Sequence, residues 1–227
     1  MTPDLTPPPT EQAADAPDEQ ASRAAEAVAP VSRCAQVERA TRETRIEVRL
    51  ELDGSGYADV STGLGFLDHM LESLTLFSRF DLRLRAEGDL HVDDHHTVED
   101  VALSLGRAVD EAIGERRGLR RFGQAYAPLD EALVRCVLDV SSRPFARVRL
   151  DFRRERLGDV ATENLTHFFQ SFATAARLTL HLDLLEGEND HHKCEAAFKA
   201  CALALRAALE LDPRGEAAVP SAKGVLE

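Results

Sequence analysis

The feature that most constrains this chain is an internal repeat built around paired histidines. Asp94-His95-His96-Thr97-Val98-Glu99 is matched by Asp190-His191-His192-Lys193-Cys194-Glu195. Phe66-Leu67-Asp68-His69-Met70-Leu71-Glu72-Ser73 is matched by Asn164-Leu165-Thr166-His167-Phe168-Phe169-Gln170-Ser171. In each copy a lone histidine precedes the pair, His69 by 26 residues and His167 by 24. Self-similarity at a fixed spacing points to a duplicated unit, here of about 95 residues. The fold has to carry two copies of one chemical constellation.

The surrounding periodicity fits such a unit. Ile46, Val48, Leu50 and Leu52 alternate with Arg45, Glu47, Arg49 and Glu51, the pattern of a half-buried strand. Asp53-Gly54-Ser55-Gly56 predicts a turn and 57–61 the return strand. A helix follows over about 64–79, a strand over about 80–87 and, with Asp94 as N-cap, a helix over about 95–113. The second half predicts strands over about 131–140 and 144–152, a helix over 161–177, a strand over 178–185 and a helix over 190–210. Each half reads strand–strand–helix–strand–helix. The expected fold is α+β, a sandwich of two pseudo-equivalent halves at 33–120 and 121–227.

Composition narrows the function. The 227 residues carry 27 Lys+Arg against 40 Asp+Glu, a formal charge of −13, which excludes the basic stripe of a nucleic-acid module. No apolar run approaches the roughly 20 residues of a membrane span. The opening MTPDLTPPPT does not read as a secretory signal. Residues 1–32 hold six of the ten prolines, no glycine or aromatic residue, and one Arg against six acids. Such a segment reads as a disordered acidic tail. Cys34, Cys136, Cys194 and Cys201 fall at no metal-knuckle spacing and read as reduced thiols of a cytoplasmic protein.

The histidines suggest metal. On a helix, His95 and Glu99 share a face, as do His191 and Glu195, and each pair supplies half a metal site. The neighbouring His96 or His192 is turned by about 100° and cannot easily reach the same ion. Eight candidate ligands result: His69, His95, His96, Glu99, His167, His191, His192 and Glu195. Pseudo-symmetry offers two sites of four, His95 and Glu99 with His167 and His192, and His191 and Glu195 with His69 and His96. The contributing halves can belong to different subunits. Three imidazoles and one carboxylate suit Mn²⁺ or Fe²⁺ with open positions, and Zn²⁺ is compatible. His91 and His181 lack repeat partners and read as ordinary strand residues. Cys194 answers to Val98 and reads as helix packing.

Longer stretches carry a resemblance. Arg42-Glu43-Thr44, Gly65-Phe66-Leu67-Asp68-His69-Met70, the two His-His segments, Arg121-Phe122-Gly123, Arg143-Pro144-Phe145, His167-Phe168-Phe169, Glu195-Ala196-Ala197-Phe198-Lys199 and Pro220-Ser221-Ala222-Lys223-Gly224 closely resemble imidazoleglycerol-phosphate dehydratases. The resemblance covers about 40–226 and is to the monofunctional form. It implies helices packed between two four-stranded sheets, and a closed homo-oligomer of ~24 subunits with di-manganese sites at subunit contacts. The implied reaction takes imidazole glycerol phosphate to imidazole acetol phosphate and water in L-histidine biosynthesis, through a di-manganese-bound imidazolate. By the same resemblance Glu43 is the acid–base residue. Arg121, Arg143, Lys199, Ser221 and Lys223 match phosphate-contacting positions, with Ala222 in the same substrate-binding segment. Ser142 stands where the family usually has Gly, Ala222 where it has Thr, and Lys193-Cys194 where it has an aliphatic pair.

Two other readings fit the residues alone. One is a dinuclear metallohydrolase of a phosphate ester, although such sites usually hold more carboxylates. The other is a non-catalytic protein whose metals only staple subunits together.

Overall fold

A computed structural model describes residues 33–214 and 218–226. The segment 1–32, expected to be a disordered tail, lies outside the described residues. The first half runs β1 (Cys34–Ala40), β2 (Thr44–Glu51), β3 (Ala58–Ser61), α1 (Gly65–Ser78), β4 (Asp81–Gly88) and α2 (His95–Ile113). The second runs β5 (Phe122–Leu129), β6 (Ala132–Asp139), β7 (Phe145–Arg149), a short hairpin of β8 (Arg156–Leu157) and β9 (Val160–Ala161), α3 (Thr162–Ala175), β10 (Thr179–Glu186) and α4 (Asp190–Leu209).

Alternation along β2 buries Thr44, Ile46, Val48 and Leu50 and exposes the charges between them. β2 pairs antiparallel with β1 and β4, and β3 runs parallel to β4, giving the order β1-β2-β4-β3. The second sheet repeats this as β5-β6-β10-β7. The element order expected for each half therefore needs one leading strand more, the second half also gains the β8–β9 hairpin, and β3, expected to return against β2, lies beside β4 instead. β1 and β5 are both edge strands. β1 buries only Val37, and β5 contains Gly123 and Pro128, so neither shows clean alternation. Proline is tolerated there because an edge strand has a free side.

All four helices lie between the sheets. α2 covers β1 and β2 and α1 covers β3, while α4 covers β5 and β6 and α3 covers β7. Across the middle, α2 meets α3 and α1 meets α4, so each helix pair joins the two halves. Gly106 sets the first approach: a Cβ there would stand 2.6 Å from the Phe172 carbonyl oxygen. Phe168, Phe169, Phe172 and Phe198 fill the centre, with Phe169 and Phe198 rings 4.6 Å apart. Burying each such ring stabilises by about 1.5–3 kcal/mol. Among the described residues, no helix is long and apolar enough to cross a membrane.

One strap, the segment from Asp151 to Thr162, gathers the helix starts. Asp159 accepts from the backbone N–H groups of Gly65 (2.6 Å) and Phe66 (3.1 Å), capping α1 from the other half. Buried Asp94, before α2, accepts from the Ala161 N–H (2.8 Å) and the Arg156 guanidinium (3.2 Å). Asp190, opening α4, accepts from the N–H groups of Arg153 (2.8 Å) and Arg154 (2.7 Å). The Asp94 side chain is thus not the cap of α2. Asp93 serves the His95 N–H instead, at 3.0 Å. His91 also departs from expectation, lying in the turn after β4 rather than on a strand. His181 does lie on β10, 5.6 Å from the Phe145 ring.

Candidate metal centre

The cross-half helix pairs build two matching triads. Among the described residues, His95, Glu99 and His167 form one and His69, His191 and Glu195 the other, with donor atoms within 4.8 Å of one another. In the first, α2 supplies His95 and Glu99 and α3 supplies His167, whose Nε2 lies 3.1 Å from Glu99 Oε1. The His95 and His167 rings stack at 5.0 Å. In the second, α4 supplies His191 and Glu195 and α1 supplies His69. Glu195 Oε2 lies 3.2 Å from His191 Nε2 and 3.4 Å from His69 Nε2.

Each triad holds three of the four ligands expected for it. The fourth members lie elsewhere in the chain. His192 gives Nδ1 to Glu131 (2.7 Å), with Asp130 3.8 Å from its Nε2. His96 contacts Asp89 through Nδ1 (3.1 Å), and its Nε2 lies 3.9 Å from Glu43. The hydrogen bond to Asp89 raises the affinity of His96 for a proton, against its desolvation, and Glu131 does the same for His192.

Surrounding groups orient the ligands. His95 Nδ1 meets Asn164 Oδ1 at 2.9 Å, and Asn164 Nδ2 donates to Asp94 at 3.0 Å. A ring nitrogen tied in this way leaves the other to face an ion. Phe66 meets the His191 ring edge-on at 5.3 Å. Lys199, one turn after Glu195, pairs with its second oxygen at 2.7 Å. Burial, the largest single influence, pushes the Glu195 carboxyl up, but the bond and charge of Lys199 together with His69 and His191 make the net shift downward. Ser73, one turn after His69, is buried with its hydroxyl unpartnered. Two imidazoles and a carboxylate, partly open to solvent, fit a divalent ion of borderline softness with coordination positions to spare.

The remaining candidates do not all converge. Lys199 sits in the second triad. Glu43 is exposed in the β1–β2 turn, which Thr44 fastens to buried Asp100 on α2 through a 2.5 Å hydrogen bond. Arg121 is held by both oxygens of Asp139 (2.7 and 3.0 Å) and donates to the Pro220 carbonyl at 2.8 Å. It thereby anchors the segment carrying Ser221, Ala222 and Lys223, of which Ala222 and Lys223 are exposed. Arg143 follows β6, near Ser141. The register puts Arg121 and Arg143 at one end of the second sheet, while Glu131 and the start of α4 lie at the other. At strand rise, the seven steps of β6 separate them by about 23 Å.

Comparison with known proteins decides the family. The imidazoleglycerol-phosphate dehydratase family model matches residues 62–205. The chain belongs to the imidazoleglycerol-phosphate dehydratase family. A dehydratase of this name from Methylibium petroleiphilum is 52% identical over 195 residues, covering 86% of this chain and 98% of that one. One from Phytophthora nicotianae is 55% identical over 192 residues, 85% of this chain but 42% of that longer protein. The crystal structure of the Staphylococcus aureus dehydratase superposes with a TM-score of 0.72 at 36% identity, covering 79% of this chain and 99% of that one. The dehydratases of this family are hydro-lyases of histidine biosynthesis, and membership sets aside both the metallohydrolase and the non-catalytic stapling readings. Two departures from the dehydratase pattern have a physical account. Ser142 adopts a left-handed φ of 63°, which glycine takes at lower cost. Lys193 is buried, donating to Asp190 (2.8 Å) and to the Asp151 carbonyl (3.0 Å).

Proposed function

We propose that this chain converts imidazole glycerol phosphate to imidazole acetol phosphate and water, with two Mn²⁺ per active site, in a cytoplasmic homo-oligomer. The carrying observation is the shape of the triads. Each lacks one imidazole, while His96 and His192 belong to neither triad, their Nε2 atoms lying 3.9 Å from Glu43 and 3.8 Å from Asp130. A neighbouring subunit that presents its His192 to the first triad and its His96 to the second completes both sets. The 24-subunit shell implied by the sequence resemblance would supply such contacts. Bound Mn²⁺ ions would supply Lewis acidity to both substrate ring nitrogens, favouring imidazolate and loss of hydroxide from the side chain.

The chain's own residues do the rest. His95, Glu99, His167, His69, His191 and Glu195 would hold the ions, so that the ring is oriented before reaction. Glu43, exposed beside His96, takes the proton from the carbon next to the reacting one and moves it during enol-to-ketone conversion. Arg121, Arg143, Lys199, Ser221 and Lys223 bind the phosphate, with Ala222 packing in the same segment. The distance along the second sheet between Arg121 and the start of α4 supports a composite site, with phosphate contacts and metal ligands drawn from different subunits.

The test is formation of imidazole acetol phosphate before chelation, after it, and after Mn²⁺, Fe²⁺ or Zn²⁺ is restored, with mass followed by light scattering. Turnover should vanish with the metal and return with Mn²⁺, and the assembly should dissociate and reform. Full turnover in metal-free protein would overturn the proposal.

A further inference from the structure

The second histidine of each pair is fastened in the same way. His96 and His192 each give Nδ1 to a carboxylate from another element, Asp89 for His96 and Glu131 for His192. A carboxylate only accepts, so the proton sits on Nδ1 and Nε2 keeps its lone pair. The partners have different origins. Asp89 follows β4, whereas Glu131 closes the turn into β6. In the first half the residue at that turn position, directly before β2, is Glu43. Glu43 and Glu131 are thus the same place in the two halves.

Their surroundings differ. The Glu43 side chain is 53% exposed and stands 3.9 Å from His96 Nε2, beyond hydrogen-bond reach. Glu131 accepts three bonds, from the N–H of Asn189 (2.7 Å), from His192 Nδ1 (2.7 Å) and from the N–H of Glu188 (3.2 Å). The Asn189 N–H foremost, then His192, holds its carboxyl down to about 2. Asn189 in turn caps α4, accepting from the His191 N–H at 2.9 Å. Glu131 therefore fixes both the His192 ring and the register of the helix start that carries it.

We infer that Glu131 is a positioning residue: it locks the tautomer and direction of His192 so that Nε2 is presented as a metal ligand, while Glu43 at the matching turn is left free to meet substrate. This rests on the metal-dependent reading above. One ancestral position then does two jobs, serving the ligand in one half and the reaction in the other. A carboxylate behind a ligating histidine raises its basicity and fixes its ring, and losing it typically weakens metal binding about ten- to a hundredfold.

The experiment titrates Mn²⁺ into full-length, chelated protein and follows free Mn²⁺ by electron paramagnetic resonance. Glu131→Ala should weaken one of two classes of site about ten- to a hundredfold and leave the other at the wild-type value. Saturating Mn²⁺ should then restore most of kcat. Glu131→Gln keeps one acceptor oxygen for the Asn189 and Glu188 N–H groups but turns an amide NH2 toward Nδ1, so it should hold the wild-type Tm and still weaken that class of site. Glu43→Ala should show the opposite pattern, wild-type Mn²⁺ affinity and a kcat that added metal does not restore. Unchanged affinity at both classes in Glu131→Ala would overturn the inference. So would wild-type affinity in Glu131→Gln, or equal weakening of both classes in Glu131→Ala, the mark of a purely structural role. Wild-type protein that takes up no Mn²⁺ would overturn the metal reading itself, and the inference with it, before any variant is compared.

Discussion

His95 is held by a hydrogen bond and His191 by the edge of a ring. The two supports, Asn164 and Phe66, occupy matching positions of the repeat, so the first triad is finished with an amide and the second with an aromatic side chain. The carboxylates diverge too. One turn beyond Glu195 stands Lys199, in contact at 2.7 Å, while one turn beyond Glu99 the chain carries Leu103. Glu195 is also the more sheltered, its side chain 14% exposed against 36% for Glu99. The two triads match, and the residues around them do not. An asymmetric substrate, with a ring at one end and a phosphate at the other, gives such inequality a use. Lys199 can serve phosphate and carboxylate together, and Leu103 can serve neither.

The largest expected effect comes from removing the carboxylates. Glu99→Gln and Glu195→Gln should each cut bound metal to about half and lower turnover by at least about a hundredfold, and the double variant should bind least. Elemental analysis checks this, and wild-type metal content in both single variants would remove the triads as metal sites. Next comes the phosphate end. Lys199→Met and Lys223→Ala should each raise KM about tenfold to a hundredfold, the equivalent of a charged hydrogen bond of about 1.5–3 kcal/mol. Lys223→Ala should leave metal content untouched, whereas Lys199→Met should alter Mn²⁺ affinity at the Glu195 triad alone. Steady-state kinetics beside a metal titration separates the two. Third, Asn164→Leu should weaken Mn²⁺ at the first triad about tenfold and lower Tm, because buried Asp94 loses a donor at a cost of about 1–3 kcal/mol. The smallest effect is that of Phe66→Leu, about two- to fivefold at the second triad, since an edge contact contributes only about 0.5–1.5 kcal/mol and leucine keeps part of it. If Phe66→Leu proves the more damaging of the last pair, the contrast between polar and aromatic support is wrong.

The repeat, the four helices and the central strands were legible because their burial is periodic. The edge strands β1 and β5 were not, since each buries one or two side chains and pairing geometry, not hydrophobicity, defines them. The two clusters were visible in part because His95–Glu99 and His191–Glu195 lie four apart on helices, and the resemblance supplied Glu43 and the phosphate candidates. The orienting groups Asn164, Asp94, Asp89 and Glu131 were missed. Each is a common polar residue: Asn164, Asp94 and Glu131 meet partners more than 60 residues away, and Asp89 meets His96 across a turn that no motif marks. Glu131 left a trace of another kind: once β2 and β6 are aligned, it falls under Glu43.

The strap that gathers the helix starts also sets an order in time. Gly65 and Phe66 find their acceptor, Asp159, 94 and 93 residues further along the chain. At roughly 5–20 residues per second of synthesis, α1 waits on the order of 5–20 seconds for its cap. During that interval its first N–H groups and the faces of α1 and α2 that later meet α4 and α3 have only water or a chaperone to cover them. The halves look like two copies of one module, yet neither closes without the other. A chain cut between α2 and β5 should therefore yield two fragments that are each poorly ordered alone and become structured when mixed.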